Sequence, residues 1–299
     1  MLTEKLGPGA EQPLISPNLG VFSAVAAVST ASVLVRLSDQ LPALTVISYR
    51  LGITLLLLLP FALVFNRQEF AGLSKRDVLL ALASGTFLAL HFLTWTSSLY
   101  YTTVASSAVL VDTQPIFALL GSGLFLREWV SWKKALFALV AVGGTIFIGY
   151  QDFSVAGGAF FGDMLALSGA VFVTGYWLIG RHLRERLGLL PYVVIVYGIS
   201  EVQILVVALV TGTSMNPGSM TGLGLLVLLA VVPTIFGHTV LNWSLKYVKT
   251  PVVAVSLLGE PVGASILALL MLKEVPSRGQ LIGGVIILTG IYLYNRVSE

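Results

Sequence analysis

The sequence predicts an all-helical integral membrane protein whose ten transmembrane helices form two inverted repeats of five. Three observations support this fold. The 299 residues are 56% hydrophobic and only 10% charged, whereas a soluble domain is about 25% charged. Polar and Gly/Pro-rich points divide the chain into ten apolar runs, each near the ~20 residues that a spanning helix needs. Finally, sliding the chain by 146 residues aligns one half with the other.

Short connections separate the ten predicted helices and leave no soluble domain for an active site. Residues 1–18 are polar and rich in glycine and proline, and they are predicted to form a disordered tail. The first five-helix repeat is predicted to cover 19–151 and the second 160–296. The predicted helices span 19–38, 42–65, 77–98, 104–126, 132–150, 160–180, 190–211, 222–245, 251–272 and 278–296.

Lysines and arginines lie mainly on the side of the two termini. Of the 17, only Arg36, Lys273 and Arg278 flank the opposite side, and Arg50 lies within a predicted helix. Because basic loops stay cytoplasmic, both termini are predicted in the cytoplasm of a multi-pass protein of the inner or plasma membrane. The net charge of +3 is small and dispersed, which argues against a nucleic-acid partner.

The two halves share an ungapped alignment of residues 98–144 with residues 244–290. Twelve of the 47 positions are identical, and these include Pro115 with Pro261 and Glu128 with Glu274. Each half has an odd number of helices, so the second copy must enter the membrane from the other side. Inverted repeats of this kind are typical of secondary transporters, which bind substrate near the midplane between the halves.

Two related segments carry a family resemblance. They are "TWTSSLYYTTVASSAVLVDTQPIF", followed by Leu-Arg-Glu, and "NWSLKYVKTPVVAVSLLGEPVG", followed by Leu-Lys-Glu. They resemble the drug/metabolite transporter superfamily and its ten-helix EamA-type branch, and Arg50 in "SYRLGITLLLLLP" matches the arginine typical of that family's second helix. The resemblance implies an alternating-access carrier that exports amino acids, metabolites or drug-like compounds, with a cavity lined by helices 1 to 4 and 6 to 9.

Ionisable side chains inside a membrane cost roughly 2.5 to 3.5 kcal/mol, so each is a candidate for function. Glu260 precedes Pro261, which should kink the ninth helix and leave the carboxyl free to carry a proton or bind an amine; a purely structural role is the alternative. Gln114 before Pro115 is the symmetric counterpart. Asp112 lies about 200° around the helix from Gln114, so the two cannot face one cavity together.

Glu201 follows Tyr197 by one helical turn, so the phenol and the carboxyl share a face. The pair is predicted either to bind an ammonium or to relay a proton, and a salt bridge from Glu201 to Arg50 is the structural alternative. Arg50 is also a candidate clamp for a substrate carboxylate. Tyr49 is its neighbour and points about 100° away.

Two stripes at a spacing of four complete the candidates for the cavity lining. Phe87, His91 and Trp95 are predicted either to grip organic substrates or to pack against another helix. The second stripe, in the eighth helix, is Thr234, His238 and Asn242. Tyr176 and Trp177 in the sixth helix are further candidates for the cavity lining. The pairs Gly143-Gly144 and Gly283-Gly284 favour close helix packing, within one chain or in a homodimer.

The function predicted from these features is export of a small organic metabolite, such as an amino acid or an amphipathic compound, coupled to protons. The sequence has no Walker-type nucleotide loop, no HExxH metal motif and no cysteine, so no cofactor or metal is predicted. A passive channel or scramblase is the first alternative. An intramembrane enzyme is the second.

Overall fold

A computed structural model describes residues 13, 15–38, 40–102, 107, 110–151, 159–273 and 275–297. Within these residues the chain is helical and contains no strand, which confirms the all-helical prediction. Most of the predicted N-terminal tail lies outside the described residues, and the first helix begins at Pro17. The connection 152–158 and Glu274 also lie outside them.

Ten helical segments follow one another along the described chain, with a short surface helix at Arg67–Ala71. Their bounds are α1 (Pro17–Val28 and Thr30–Leu37), α2 (Ala43–Phe65), α3 (Lys75–Tyr101), α4 (Gln114–Leu126), α5 (Trp132–Gln151), α6 (Ala159–Arg184), α7 (Leu189–Thr211), α8 (Met220–Ser244), α9 (Thr250–Leu257 and Glu260–Leu272) and α10 (Arg278–Arg296). Seven of them, α1 to α3 and α6 to α9, are long and apolar enough to cross a membrane.

Helix boundaries repeat along the chain with the spacing found in the sequence. Helices α2 and α7 have 23 residues each and begin 146 residues apart, at Ala43 and Leu189. Arg127 and Lys273, also 146 apart, follow α4 and α9 and have positive φ angles of 57° and 59°. Non-glycine residues rarely adopt that conformation. Its recurrence at one register indicates that the two halves repeat the same backbone path.

Between two matched points, α8 contains one residue more than its counterpart α3. Their N-caps, Ser74 and Ser219, are 145 residues apart, whereas Ser98 and Ser244 are 146 apart. Between these points α8 is wound as a π-helix over Ala230–Thr239, which includes Pro233. A π-helical turn accommodates an inserted residue, so the extra residue is absorbed there.

The helices pair as expected for two related halves. Helix α2 packs on its counterpart α7, and α5 packs on its counterpart α10. The contact of α3 with α6 corresponds to the contact of α8 with α1. Gly144 and Gly283 allow α5 and α10 to touch, since a Cβ on Gly144 would lie 2.9 Å from the Gly283 carbonyl. One of the two predicted uses of the glycine pairs, packing within the chain, is therefore present in this fold.

Candidate functional site

The distorted part of α8 holds Arg50 of α2 in place. Pro233 has no N–H, so the Leu229 carbonyl four residues earlier lacks its usual backbone donor. The Thr234 hydroxyl donates to that carbonyl at 2.8 Å and accepts from Arg50 Nε at 2.6 Å. Thr54, one turn after Arg50, donates to the Ala230 carbonyl at 3.2 Å. The break in α8 is thus joined to α2 through two polar contacts.

Arg50 is 3% exposed, yet part of its guanidinium has no partner. Its Cζ lies 4.7 Å from the centroid of the Phe92 ring, and its Nη2 is buried without a hydrogen bond in the described structure. His238 packs on the same Phe92 ring, with the two centroids 5.7 Å apart, and its Nδ1 is likewise buried and unbonded. Unsatisfied buried polar atoms are costly. A ligand that accepted hydrogen bonds from these two nitrogens would therefore stabilise the protein.

Asn242 connects three helices beside this centre. Its Nδ2 donates to the Tyr176 hydroxyl of α6 and to the His238 carbonyl at 2.8 Å, with a longer contact of 3.4 Å to the Tyr197 hydroxyl of α7. Tyr197 also shares a hydrogen bond of 3.2 Å with Thr239, while Asn242 Oδ1 has no partner. Four of the predicted site residues therefore form one cluster between α6, α7 and α8.

Glu201 faces Ser48 rather than Arg50. The Ser48 hydroxyl donates to Glu201 Oε1 at 2.5 Å, and Oε2 is buried without a partner. The alternative of an Arg50–Glu201 salt bridge is wrong for this structure, because Ser48 and Arg50 point about 200° apart around α2 and only Ser48 faces Glu201. Tyr197 and Glu201 share a face of α7 but bond to different partners, so they form no Tyr–Glu pair.

The aromatic stripe of α3 lies against α6. His91 Nδ1 donates to the Gly169 carbonyl at 2.9 Å, and the His91 ring stacks on Trp95 with centroids 6.1 Å apart. Phe87 packs on Phe172 of α6, 6.2 Å between centroids. The stripe mainly packs two helices together. His91 still reaches the centre, because its ring also lies 5.4 Å from that of Phe92.

Of the two remaining predicted residues, Tyr49 lies apart from the cluster and Trp177 is buried in the core. The Tyr49 hydroxyl donates to the Met215 carbonyl at 3.0 Å, in the connection before α8. This agrees with the 100° rotation from Arg50. Trp177 is 1% exposed, and its indole N–H has no hydrogen-bond partner among the described residues.

Both predicted proline positions lie where a helix restarts. Helix α4 begins at Gln114 after a turn at Asp112 and Thr113, and the second part of α9 begins at Glu260 after a turn at Leu258 and Gly259. Gln114 is buried, and its backbone carbonyl accepts a hydrogen bond from the Thr174 hydroxyl of α6 at 3.4 Å. Glu260 is close enough to Arg50 and to Asp112 for their charges to interact.

The sequence reasoning missed Ser48, Thr54, Thr239 and Phe92. Short hydroxyl side chains are common in packed membrane helices, so they carry little signal by themselves. Phe92 had one detectable signal, since it is the counterpart of His238 at the 146-residue register. No three potential metal ligands of the His, Cys, Asp or Glu type come together in the part of the chain that is described.

A bundle of membrane-spanning helices with a buried polar centre is typical of transport proteins. The family model for the EamA-like transporter family matches residues 16–150 and again residues 160–296. The chain belongs to that family, which confirms the resemblance, and it is a multi-pass protein of the inner or plasma membrane.

Individual known proteins agree with this assignment. The chain is 26% identical over 288 residues to the pseudopaline exporter CntI of Pseudomonas aeruginosa, covering 94% of this chain and 97% of that one. It is 26% identical over 196 residues to the uncharacterized transporter YdfC of Bacillus subtilis, covering 64% and 63%. A solved crystal structure superposes with a TM-score of 0.79 at 16% identity, covering 93% of this chain and 97% of that one; this likeness shows the fold.

Proposed function

We propose that the protein is a secondary active transporter that works by alternating access, with ten spans in two inverted five-helix repeats and both termini in the cytoplasm. The shared helix boundaries, the matching positive φ angles of Arg127 and Lys273 and the mirrored helix contacts support the repeat. Inverted halves place a shared site near the midplane and let it open to each side in turn. The buried polar groups around Arg50 are our candidate for that shared site.

The transported compounds are small organic metabolites, amino acids or amphipathic molecules, and the direction is export. The relative from Pseudomonas aeruginosa is named as an exporter, which supports the direction. Phe92, His91 and Trp95 supply aromatic surface, and Arg50, His238 and Asn242 supply polar atoms without partners. Unpartnered polar atoms beside aromatic rings suit a small organic ligand. They form no nucleophile–base pair of the kind that an enzyme would need.

Proton coupling is assigned to Glu260, and the helix break at this residue carries that assignment. The carboxyl lies at the first position of a restarted helix, beside a turn of α9, and its charge interacts with that of Arg50. A cationic group of the substrate beside Glu260 would compete with a proton for the carboxylate. Substrate and proton would then bind in turn, as export in exchange for protons requires.

The test is a substrate screen in liposomes that contain purified protein, with and without an imposed pH gradient. Glu260→Gln is expected to keep exchange of labelled for unlabelled substrate and to lose gradient-driven accumulation. The matched control is Glu185→Gln, which removes a carboxylate from the surface and should leave both activities intact.

Two results would contradict the proposal. Gradient-driven accumulation that persists in Glu260→Gln removes this residue from the coupling mechanism. Flux that ignores the gradient in every variant indicates a passive facilitator instead.

A further inference from the structure

We infer that Arg50 and His238 form a binding site for the carboxylate of a zwitterionic substrate, a small compound that carries both a carboxylate and an amine. This inference deepens the proposed function and depends on it. It rests on two buried nitrogens without partners, Arg50 Nη2 and His238 Nδ1, which lie beside one aromatic ring, Phe92.

Arg50 needs an anion that the described part of the chain does not supply. A buried guanidinium is stable only when it is paired, and no described acid lies within ion-pair distance of Arg50. Glu201 is turned toward Ser48. Glu260 interacts with Arg50 only through its charge, without a hydrogen bond. A ligand carboxylate would therefore complete the coordination of a cation that the protein leaves open.

The guanidinium is already oriented for such a ligand. Thr234 holds its Nε at 2.6 Å and Phe92 covers its face, so the Nη2 end remains available. Arginine binds carboxylates through short, charge-assisted hydrogen bonds. His238 packs on the same Phe92 ring, and its Nδ1 supplies a second donor when it carries the proton. Because these groups are preset, the ligand pays little entropy to order them.

The surrounding charge selects a zwitterion over a dianion. Asp112 and Glu260 lie within electrostatic reach of each other, and Glu260 within reach of Arg50. Glu260 is the carboxyl within reach of Arg50, and in its ionised form it would repel a phosphate with nearly two negative charges. An ammonium group on the ligand would be attracted to that carboxylate while the ligand carboxylate binds Arg50. An amino acid carries its two charges in this arrangement.

The experiment compares each of the twenty amino acids with its own carboxamide. Competition for labelled-substrate exchange in liposomes measures binding, together with thermal stabilisation of purified protein. At least one acid should compete, and its amide, which lacks the carboxylate, should compete at least tenfold more weakly. Arg50→Gln should remove the preference for the acid, and Arg50→Lys should keep part of it. Arg76→Gln, at an exposed arginine, should behave as wild type.

A second variant keeps the test valid if Arg50→Gln does not fold. Thr234→Val preserves Arg50 and the side-chain shape but removes the hydroxyl that orients the guanidinium. It should weaken the acids several-fold and leave the amides unchanged. Amides that compete as well as acids, or acids whose binding survives Arg50→Gln, would overturn the inference. Exchange of other screened compounds without competition by any amino acid also overturns it, yet leaves the transporter function intact; absence of all exchange counts against the transporter itself.

Discussion

At the scale of single residues, the two glutamates of the centre have different surroundings. Glu201 is 8% exposed and accepts a hydrogen bond of 2.5 Å from Ser48. Gly52 of α2 lies beside it, where a Cβ would make an ordinary contact of 3.4 Å with Oε1. Glu260 is half-buried and accepts no side-chain hydrogen bond among the described residues. A group that must gain and lose a proton is better served by the second environment, which is why coupling is assigned to Glu260.

Ser48→Ala is expected to destabilise the protein, because it leaves a second buried oxygen of Glu201 without a donor. The cost of such an orphaned acceptor is about 1–3 kcal/mol. Glu201→Gln should be neutral or stabilising, since the amide oxygen still accepts from Ser48 and the buried acid is removed. Thermal unfolding of the purified variants in detergent measures both effects. An unchanged melting temperature for Ser48→Ala would show that the Ser48–Glu201 bond contributes nothing.

At the scale of helices, the sequence predicted the breaks but not the rotations. Proline removes a backbone donor wherever it occurs, so restarts at Gln114 and Glu260 could be predicted from Pro115 and Pro261. The partner of Arg50 could not. It depends on which way α2 and α8 turn toward each other, and the spacing of the sequence does not locate the π-helical stretch of α8 that takes up the inserted residue. Spacing shows which residues share a face but not which helix that face meets, as the stripe around His91 illustrates.

The contact between α5 and α10 offers a matched pair of glycines. A Cβ on Gly144 would lie 2.9 Å from the Gly283 carbonyl and from Ile287, whereas a Cβ on Gly143 would meet nothing within 4 Å. Gly144→Ala should separate the helices at a cost of about 1–3 kcal/mol, and Gly143→Ala should be neutral or slightly stabilising. Melting temperatures of the two variants check this difference. Equal losses would mean that the α5–α10 contact does not set stability.

At the scale of the whole molecule, polar bonds join the two halves on the side where α1 begins and α10 ends. Arg181, at the end of α6, forms an ion pair of 2.9 Å with Glu128 of the α4–α5 connection. Its Nη1 donates to the carbonyls of Leu245 and Lys246 after α8, at 2.7 and 3.1 Å. The nearby Gly188 N–H donates to Glu69 Oε2 at 2.6 Å. The bonds of Arg181 to Glu128 and of Gly188 to Glu69 join the two halves at one end. Under the proposed alternating-access mechanism, we expect them to close the pathway on the terminal side.

Arg181→Gln should open the terminal side. It removes the ion pair and most of the carbonyl contacts, and hydrogen bonds to a charged group are worth about 1.5–3 kcal/mol. A loss of about 2 kcal/mol changes the ratio of two conformations about 30-fold. The native chain has no cysteine, so single cysteines report accessibility directly. Ala254→Cys, fully buried in the part of α9 that packs on α4, should resist a water-soluble maleimide in the wild-type background and react after Arg181→Gln.

A second buried site separates opening from unfolding. Ala208 of α7 is 3% exposed and lies outside the α4–α9 contact, so Ala208→Cys should stay unreactive with either residue at position 181. Labelling at both positions would mean that Arg181 stabilises the fold as a whole. Labelling at neither would mean that other contacts, such as Glu69 with Gly188, keep the terminal side closed. Labelling of Ala254→Cys alone would establish Arg181 as the residue that closes this side of the pathway, because only a local opening exposes one buried site and spares the other.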